Sequence, residues 1–484
     1  MENCSRKPTR KSSKRKAIKK IYKRIQQKRI QRKKIHKRRQ KRISLFTAFA
    51  IVLLFAGGAL AITSIRIGFL LIVRPSEVLW VNHLLPEWAK IKDVDLDLPQ
   101  SRKQIENAIY HQGQIAGKVL PLAKTTDQSF LLPIFQKRPN CQSDCQKIVE
   151  LRAYNRSKRT GETPEKYYEM VARLAIDGPE ESFVIAPLVN ITNETQGANI
   201  ALPLSQIESF RGNNLPPGKW FYLQGQHNSG NHSVTYGHII YYNPKRKHLK
   251  VMQPWSSPSG DLPKWQQVTG DKIKELVVNQ TVGFEPRVRV YQAKYFNSIR
   301  NPIRLRSITL KPPTFKDRGY QKALLIARKG LWTPAFKWLQ FIQKQHKGKI
   351  SADSIAQIDL IRLHSELSTK QANINWASPS QQIQVYLIDG RWEKALQVFE
   401  KSPSNSKEIV SLLKADRGRL WDRVKAALQV NPNRPQVQTW GALILAAKFG
   451  DSRAKSWLTT QKRLNKSNLA RLEILLARLE DGTE

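Results

Sequence analysis

Residues 44–65, SLFTAFAIVLLFAGGALAITSI, carry no charged side chain. About 20 such residues suffice to cross a bilayer as a helix. The residues before them, 1–43, hold about twenty Lys and Arg against one acidic residue, Glu2. Every basic residue of that tail precedes the apolar segment, so the positive-inside rule places the N-terminus in the cytoplasm and the bulk of the chain across the membrane. A cleaved signal peptide is the rival reading, because Ala59-Leu60-Ala61 fits an A-x-A cleavage site. Signal peptides have short basic regions, whereas this one runs to residue 43, and the chain stays apolar beyond Ala61 through Ile62, Ile65 and residues 67–73. A retained transmembrane helix with an interfacial extension is therefore expected over 44–73, with Arg66 snorkelling to the far headgroups. Gly57 and Ala61 form a small-xxx-small pair suited to packing on another helix.

The whole chain of 484 residues has a formal charge of +46 and a pI near 10.3. Removing roughly +20 for the tail leaves roughly +26 elsewhere, so the partners implied by charge are anionic throughout. The tail itself reads as a topogenic signal or an anionic-lipid contact, with nucleic acid the least favoured. The length suggests about three folded units. Of three cysteines, Cys4 lies in the tail, and Cys141 and Cys145 form a C-x3-C pair. On a helix such a pair is close enough for a disulfide, which an oxidising compartment would permit; two unpaired thiols are the alternative, and a metal site lacks nearby ligands.

Past the membrane segment, Val81, Leu84, Leu85 and Trp88 share a helical face, with Trp80 beside them as an interfacial anchor. The run DVDLDL, residues 93–98, reads as a solvated strand edge rather than a cation site. Ser101 and Gln104 form a capping box that opens a helix carrying Ile105, Ala108 and Ile109. IAGKVLPL and SFLLPIF read as strands. A second helix is expected from Thr163, with Pro164 in its first turn and a stripe of Tyr167, Met170, Val171 and Leu174. From residue 182 the period becomes two. SFVIAPLVNI, KWFYLQGQ, TYGHIIYY, HLKVMQPW, ELVV and RVRVYQAK are strand candidates of a mostly antiparallel β-domain, a small barrel or sandwich. TYGHIIYY and HLKVMQ form a hairpin whose tip carries Lys245, Arg246 and Lys247. Arg287 and Arg289 alternate with Val288 and Val290, which pairs a buried face with a cationic one; these five basic residues are the candidate contacts for an anionic surface.

After Lys311-Pro312-Pro313 the pattern is helical to the end. Gly330, Trp332 and Ala335 recur as Gly390, Trp392 and Ala395, and more loosely as Gly418, Trp421 and Val424, with Leu339, Phe399 and Leu428 four residues after each small position. Trp440, Leu443, Ile444 and Ala447 look like the first helix of a further unit ending at Gly450. These motifs resemble tetratricopeptide repeats over about 165 residues, with spacing looser than the strict period of about 34. The resemblance implies an α-helical solenoid and a protein partner, with Trp332, Trp392, Trp421 and Trp440 as candidate binding residues. Helices that merely brace the β-domain are the alternative.

Three histidines, His227, His232 and His238, stand in QGQHNSGNHSVTYGH, with the first two expected in an Asn/Ser/Gly loop. They are the only candidates for an acid–base site, and their spacing fits no closed metal motif. No G-x-S-x-G, H-E-x-x-H, Walker or G-x-G-x-x-G pattern occurs, and no catalytic residue, metal or cofactor is expected. WQQVTGDKIKELVV resembles the calcium-binding turns of integrin-type repeats, but Gln267 and Thr269 replace acidic positions and leave only Asp271 and Glu275, so a plain turn is expected. The stretches RPNCQSDCQKIVELRAY, GPEESFVIAPLV, LPPGKWFYL and KELVVNQTVGFEPRVRVYQ together are similar to a group of cyanobacterial membrane-anchored proteins, which implies an envelope or thylakoid-lumen setting and no reaction.

The expected architecture is α+β: a basic cytoplasmic tail at 1–43, a transmembrane helix and extension at 44–73, a juxtamembrane α/β part at 74–181, a β-rich domain at 182–310, a linker at 311–319 and helical repeats at 320–484. The expected role is a non-enzymatic, single-pass membrane scaffold that binds a protein partner or an acidic envelope component. The alternatives are an envelope hydrolase using the 227–238 histidines, and a nucleic-acid or anionic-lipid tether through the tail.

Overall fold

A computed structural model describes residues 99–484 except 140–144, 158–165, 190–196, 231, 271, 297–302, 347, 462–463 and 483–484. The tail, the apolar segment at 44–73, the Trp80–Trp88 stretch, the DVDLDL run, Thr163, Pro164, Cys141 and Asp271 lie outside the described residues. Among the described residues no helix is long and apolar enough to cross a membrane. The described residues belong to one compact unit.

The first sheet contains β1 (Gln100–Ser101), β2 (Ile115–Ala116), β3 (Leu120–Pro121), β4 (Ser129–Lys137), β5 (Gln146–Arg156) and β6 (Tyr167–Ala175), with α1 (Arg102–His111) after its first strand. All pairings are antiparallel, in the order β1-β6-β5-β4-β2 with β3 also on β4. The capping box forms as the sequence implies: Ser101 Oγ accepts from the Gln104 amide, and Gln104 Oε1 accepts from the Ser101 amide. Ile105 and Ile109 of α1 cover Phe130, Leu132 and Ile134 on one sheet face, while Leu131, Leu151 and Ala153 fill the other. A strand buried on both sides has no polar alternate positions, which is why SFLLPIF reads as a continuous apolar run.

The helix expected from Thr163 is instead the strand β6. Its register slips between Ala153 and Tyr154, opposite Ala172 and Met170, so Val171 is an extra residue. Tyr168 and Met170 therefore face the α1 side, and Ala172 and Leu174 the opposite core. A bulge that switches face in mid-strand turns period two into a spacing that imitates a helix. The opposite correction applies to SFVIAPLVNI. Glu181–Val189 is a helix, α2, that buries Val184, Ile185 and Leu188. Its first amides are already paired: Glu181 N–H donates to Ile200 O and Ser182 N–H to Ala198 O. A short run that is apolar on all sides does not reveal its own period.

The second sheet runs β10-β9-β8-β7, from β7 (Gln206–Ser209), β8 (Lys219–Ser229), β9 (His232–Asn243) and β10 (His248–Ser257). The third runs β11-β12-β13-β14, from β11 (Lys264–Gln266), β12 (Glu275–Asn279), β13 (Val288–Tyr295) and β14 (Ile303–Ser307). The second sheet is a middle layer. Phe221, Leu223, Val234, Tyr236 and Ile240 pack toward α2 and the first sheet. Trp220, Tyr222, Ile239, Tyr241 and Trp255 pack on Trp265, Leu276, Val278 and Tyr291 of the third. The first core thus joins residues on both sides of position 182. Gly237 is required where these strands close up, since a Cβ there would stand 1.7 Å from Leu223 O.

Among the described residues ten α-helices follow: α3 (Arg318–Arg328), α4 (Trp332–Gln345), α5 (Ala352–Ala372), α6 (Pro379–Asp389), α7 (Trp392–Lys401), α8 (Ser406–Ala415), α9 (Arg419–Val430), α10 (Pro435–Phe449), α11 (Asp451–Thr459) and α12 (Lys466–Asp481). The recurrent glycines each precede a helix with a positive φ: Gly330, Gly390 and Gly418 have φ of 84°, 79° and 89°, ahead of α4, α7 and α9. Ala335, Ala395 and Val424 are wholly buried, and so are Leu339 and Phe399 one turn on. Asp389 ties three helices, accepting from Ser368 Oγ at 3.0 Å, from Thr333 Oγ1, and from Arg391 Nε at 2.6 Å. α9 returns to α3, with Lys329 Nζ 2.8 Å from Asp422.

The third sheet's second face, Val268, Val277, Val288 and Val290, is covered by Leu360 of α5. At this contact the Val288 N–H donates to His364 Nε2 at 2.9 Å, and His364 Nδ1–H donates to Leu360 O at 2.8 Å. Trp332 stacks on the imidazole at 4.0 Å. Both ring nitrogens are thereby committed to the neutral form, and burial pushes the His364 pKa down to about 4, against a weaker upward pull from the Leu360 carbonyl. An unfolded histidine near 6.5 takes up its proton first, so folding stability from this group is complete above pH 6.5 and is lost as pH falls toward 4, by about 3 kcal/mol in all. Denaturation midpoints measured between pH 7 and 4 are expected to fall more steeply for the native chain than for His364→Gln, whose amide oxygen still accepts from Val288; parallel curves would sink this account.

Candidate functional site

The contact between the third sheet and the helices also concentrates charge. A turn after β12 carries Glu285, and Arg287 lies just before β13. From the helical side come Arg419, in the first turn of α9, and Arg423 four residues on, on the same helix face. Arg423 is fully buried and grips Glu285 with both ends of its guanidinium, one at 2.9 Å and the other at 2.5 Å. Its Nε reaches Gly330 O at 3.5 Å, and a Cβ on residue 330 would meet the guanidinium at 2.6 Å. This glycine therefore serves a close approach as well as a turn. Burial pushes the Glu285 carboxyl up, but the Arg423 charge and hydrogen bonds, with Arg419 behind them, outweigh it and hold its pKa below the usual glutamate range.

Arg419 Nη1 lies 3.8 Å from Glu285 Oε2, an oxygen already held by Arg423. That nitrogen is shut off from solvent and has no hydrogen-bond partner among the described residues. The start of α9 is fixed by Asp416, whose carboxylate accepts from the Gly418, Arg419 and Leu420 amides at 3.0–3.1 Å. Arg287 is half-buried; burial lowers its pKa, and the adjacent Arg289 and Arg419 charges lower it further. Two guanidinium groups thus share one carboxylate, Arg423 bonded to both oxygens and Arg419 beside them. The sequence pattern identified Arg287 and Arg289 but not Glu285, Arg419 or Arg423. An Arg pair at i and i+4 was the signal for the helical side, but nothing local names its partner more than a hundred residues away.

The other candidates fall elsewhere. Lys245, Arg246 and Lys247 form the tip of the β9–β10 hairpin, with both lysines exposed and Arg246 half-buried, and Asn243 Oδ1 accepts from the Lys245 and Arg246 amides. Trp392 and Trp440 are corrected from binding residues to core, Trp440 Nε1 donating to Trp392 O at 3.0 Å. Their size made them conspicuous, but large rings are also what closes helix pairs. Trp332 is held against His364, and Trp421 packs edge-on against Trp457 at 5.3 Å. Cys145 is disulfide-bonded.

His227 and His232 stand on strands, not in a loop, with Ser229 opposite His232 in the hairpin. Register puts all three histidines on one sheet face, but apart. His227 Nε2 is 3.1 Å from Glu181, and buried His238 Nε2 is 2.9 Å from Asp177 O. No group of three metal-ligating side chains occurs among the described residues. Glu275, the remaining carboxylate of the calcium-like run, is buried and closes its own turn by accepting from the Val268 amide at 2.9 Å and from Thr269. No protein-family model matches the chain, and no curated protein matches its sequence.

Cutting a buried ion pair on one side leaves an uncompensated charge. Glu285→Gln is expected to destabilise the fold by about 3 kcal/mol or more, and adding Arg423→Met to it should recover a large part of that loss. Urea unfolding of the two variants checks this, and additive losses would contradict it.

Proposed function

We propose that this chain is a single-pass, membrane-anchored scaffold whose extracytoplasmic bulk holds a protein partner through its helical layer. The observation that carries the reading is an apolar groove there. Phe449 at the end of α10 is 66 % exposed and stands beside Trp421 and Leu445, rimmed by Ser452, Arg453 and Ser456. Apolar surface with a polar rim is what partner proteins cover. The helix pairs closed at Ala335 and Ala395 support a tetratricopeptide-like relationship, and with it peptide or protein binding. Anchoring rests on the uncharged segment 44–65 behind its basic arm, and the disulfide at Cys145 suits an oxidising side of a membrane. The likeness to cyanobacterial membrane-anchored proteins makes a periplasm or thylakoid lumen the proposed setting.

Gentle-detergent purification of the full chain tests the partner. A protein that co-purifies with the native chain and with Phe341→Asp, an exposed change elsewhere, should be lost with Phe449→Asp; equal recovery from both variants would remove the groove from the argument. Protease added to intact spheroplasts should cut within residues 99–484 and spare an N-terminal tag, and the reverse pattern would overturn the topology.

A further inference from the structure

The third sheet extends beyond the helix that covers it. On one face of the β13–β14 hairpin, Val288 and Val290, with Ile308 just after β14, pack with Leu360 of α5. Alternation carries the same face on to Lys294 and Arg304, which the register sets directly opposite each other, and to Arg306, opposite Gln292. Both arginines are exposed and Lys294 is half-buried. None of the three has an ion-pair partner among the described residues. Like charges set opposite each other on paired strands are destabilising, and one acidic side chain nearby would relieve them. The chain instead holds no acidic residue from 286 to 316. Two aromatic rings stand in solvent at the end of the same hairpin, Tyr295 at 53 % and Phe296 at 41 % exposure. The Arg304 guanidinium lies 5.2 Å from the centre of the Phe296 ring, so that ring sits beside the basic face. Tyr295 belongs by alternation to the face opposite Lys294.

We propose that this end of the β13–β14 hairpin rests on an anionic bilayer surface, with Tyr295 and Phe296 at headgroup level and Lys294, Arg304 and Arg306 on lipid phosphates. Aromatic rings favour the layer between headgroups and acyl chains, and each basic residue near an anionic leaflet adds attraction. Lipid phosphates also relieve the repulsion between Lys294 and Arg304 that the protein leaves uncompensated. Single-stranded nucleic acid suits the site less well, because successive bases stack on rings that share one face. Here the rings lie on opposite sides of the hairpin end, which fits insertion by the tip. The site follows from the geometry of the sheet, and only the presence of a bilayer nearby rests on the anchoring reading. It is separate from the groove at Phe449.

Photo-crosslinking of the full chain in vesicles of phosphatidylcholine and photoactivatable phosphatidylglycerol, with adducts located by mass spectrometry, tests the proposal. Adducts are expected on peptides covering residues 294–306. Arg304→Gln combined with Arg306→Gln should reduce them about tenfold or more. Phe296→Ser should reduce them as well, with every charge kept. Arg304→Gln alone removes a like-charge pair and should melt no lower than the native chain. Adducts absent from this hairpin, equally frequent with photoactivatable phosphatidylcholine alone, or unchanged in both variants would overturn the site. Binding of a single-stranded oligonucleotide to the detergent-solubilised chain, lost in the same variants, would assign the face to nucleic acid and overturn it too. Adducts on residues 44–65 report the anchor separately, so their absence counts against the anchoring reading while hairpin adducts still support the site.

Discussion

The third sheet can bury its second face only against α5, and that contact sits between two halves of the chain with different periods. Burying Val268, Val277, Val288 and Val290 there also buries the Val288 amide, which faces no neighbouring strand at that point. A buried N–H without a partner costs as much as a lost hydrogen bond. His364 supplies the acceptor, and it can do so only as a neutral ring, which Leu360 O and the Trp332 stack keep oriented. The seal between strands and helices therefore depends on one imidazole staying uncharged.

The same contact accounts for the unevenness of its charges. Arg423 and Glu285 are buried together, and each satisfies the other. Arg362 Nη2 donates to Val268 O at 2.9 Å and forms a further polar tie from α5. Arg419 lies beside this pair, 3.8 Å from the carboxylate that Arg423 already holds. The start of α9 thus adds a second positive charge beside a buried pair, and the Asp416 carboxylate that accepts from its first amides fixes the backbone there.

Much of the architecture was legible in the residues themselves. The capping box at Ser101, the β9–β10 hairpin and the glycine-led helix pairs at Trp332 and Trp392 each follow from local chemistry: a hydroxyl beside a free amide, alternating faces, a residue that tolerates positive φ. The two exchanged elements show the limit. β6 carries a bulge at Val171 and α2 is apolar on every side, so neither displays its true period. Of the candidate site, Arg287 and Arg289 were visible because they alternate with valines. Glu285 and Arg423 were not, since an ion pair across 138 residues leaves no local trace.

The sequence alone determined an α+β chain with a basic arm, an uncharged segment long enough to cross a bilayer, a strand-rich middle and a helical end, because composition and period act over a few residues at a time. Tertiary structure decided that the middle sheet is covered on both faces, that Trp392 and Trp440 are core, that His364 is neutral, and which arginines meet. Those outcomes depend on which surfaces exclude water from one another, and that is a property of the assembled layers rather than of any one stretch.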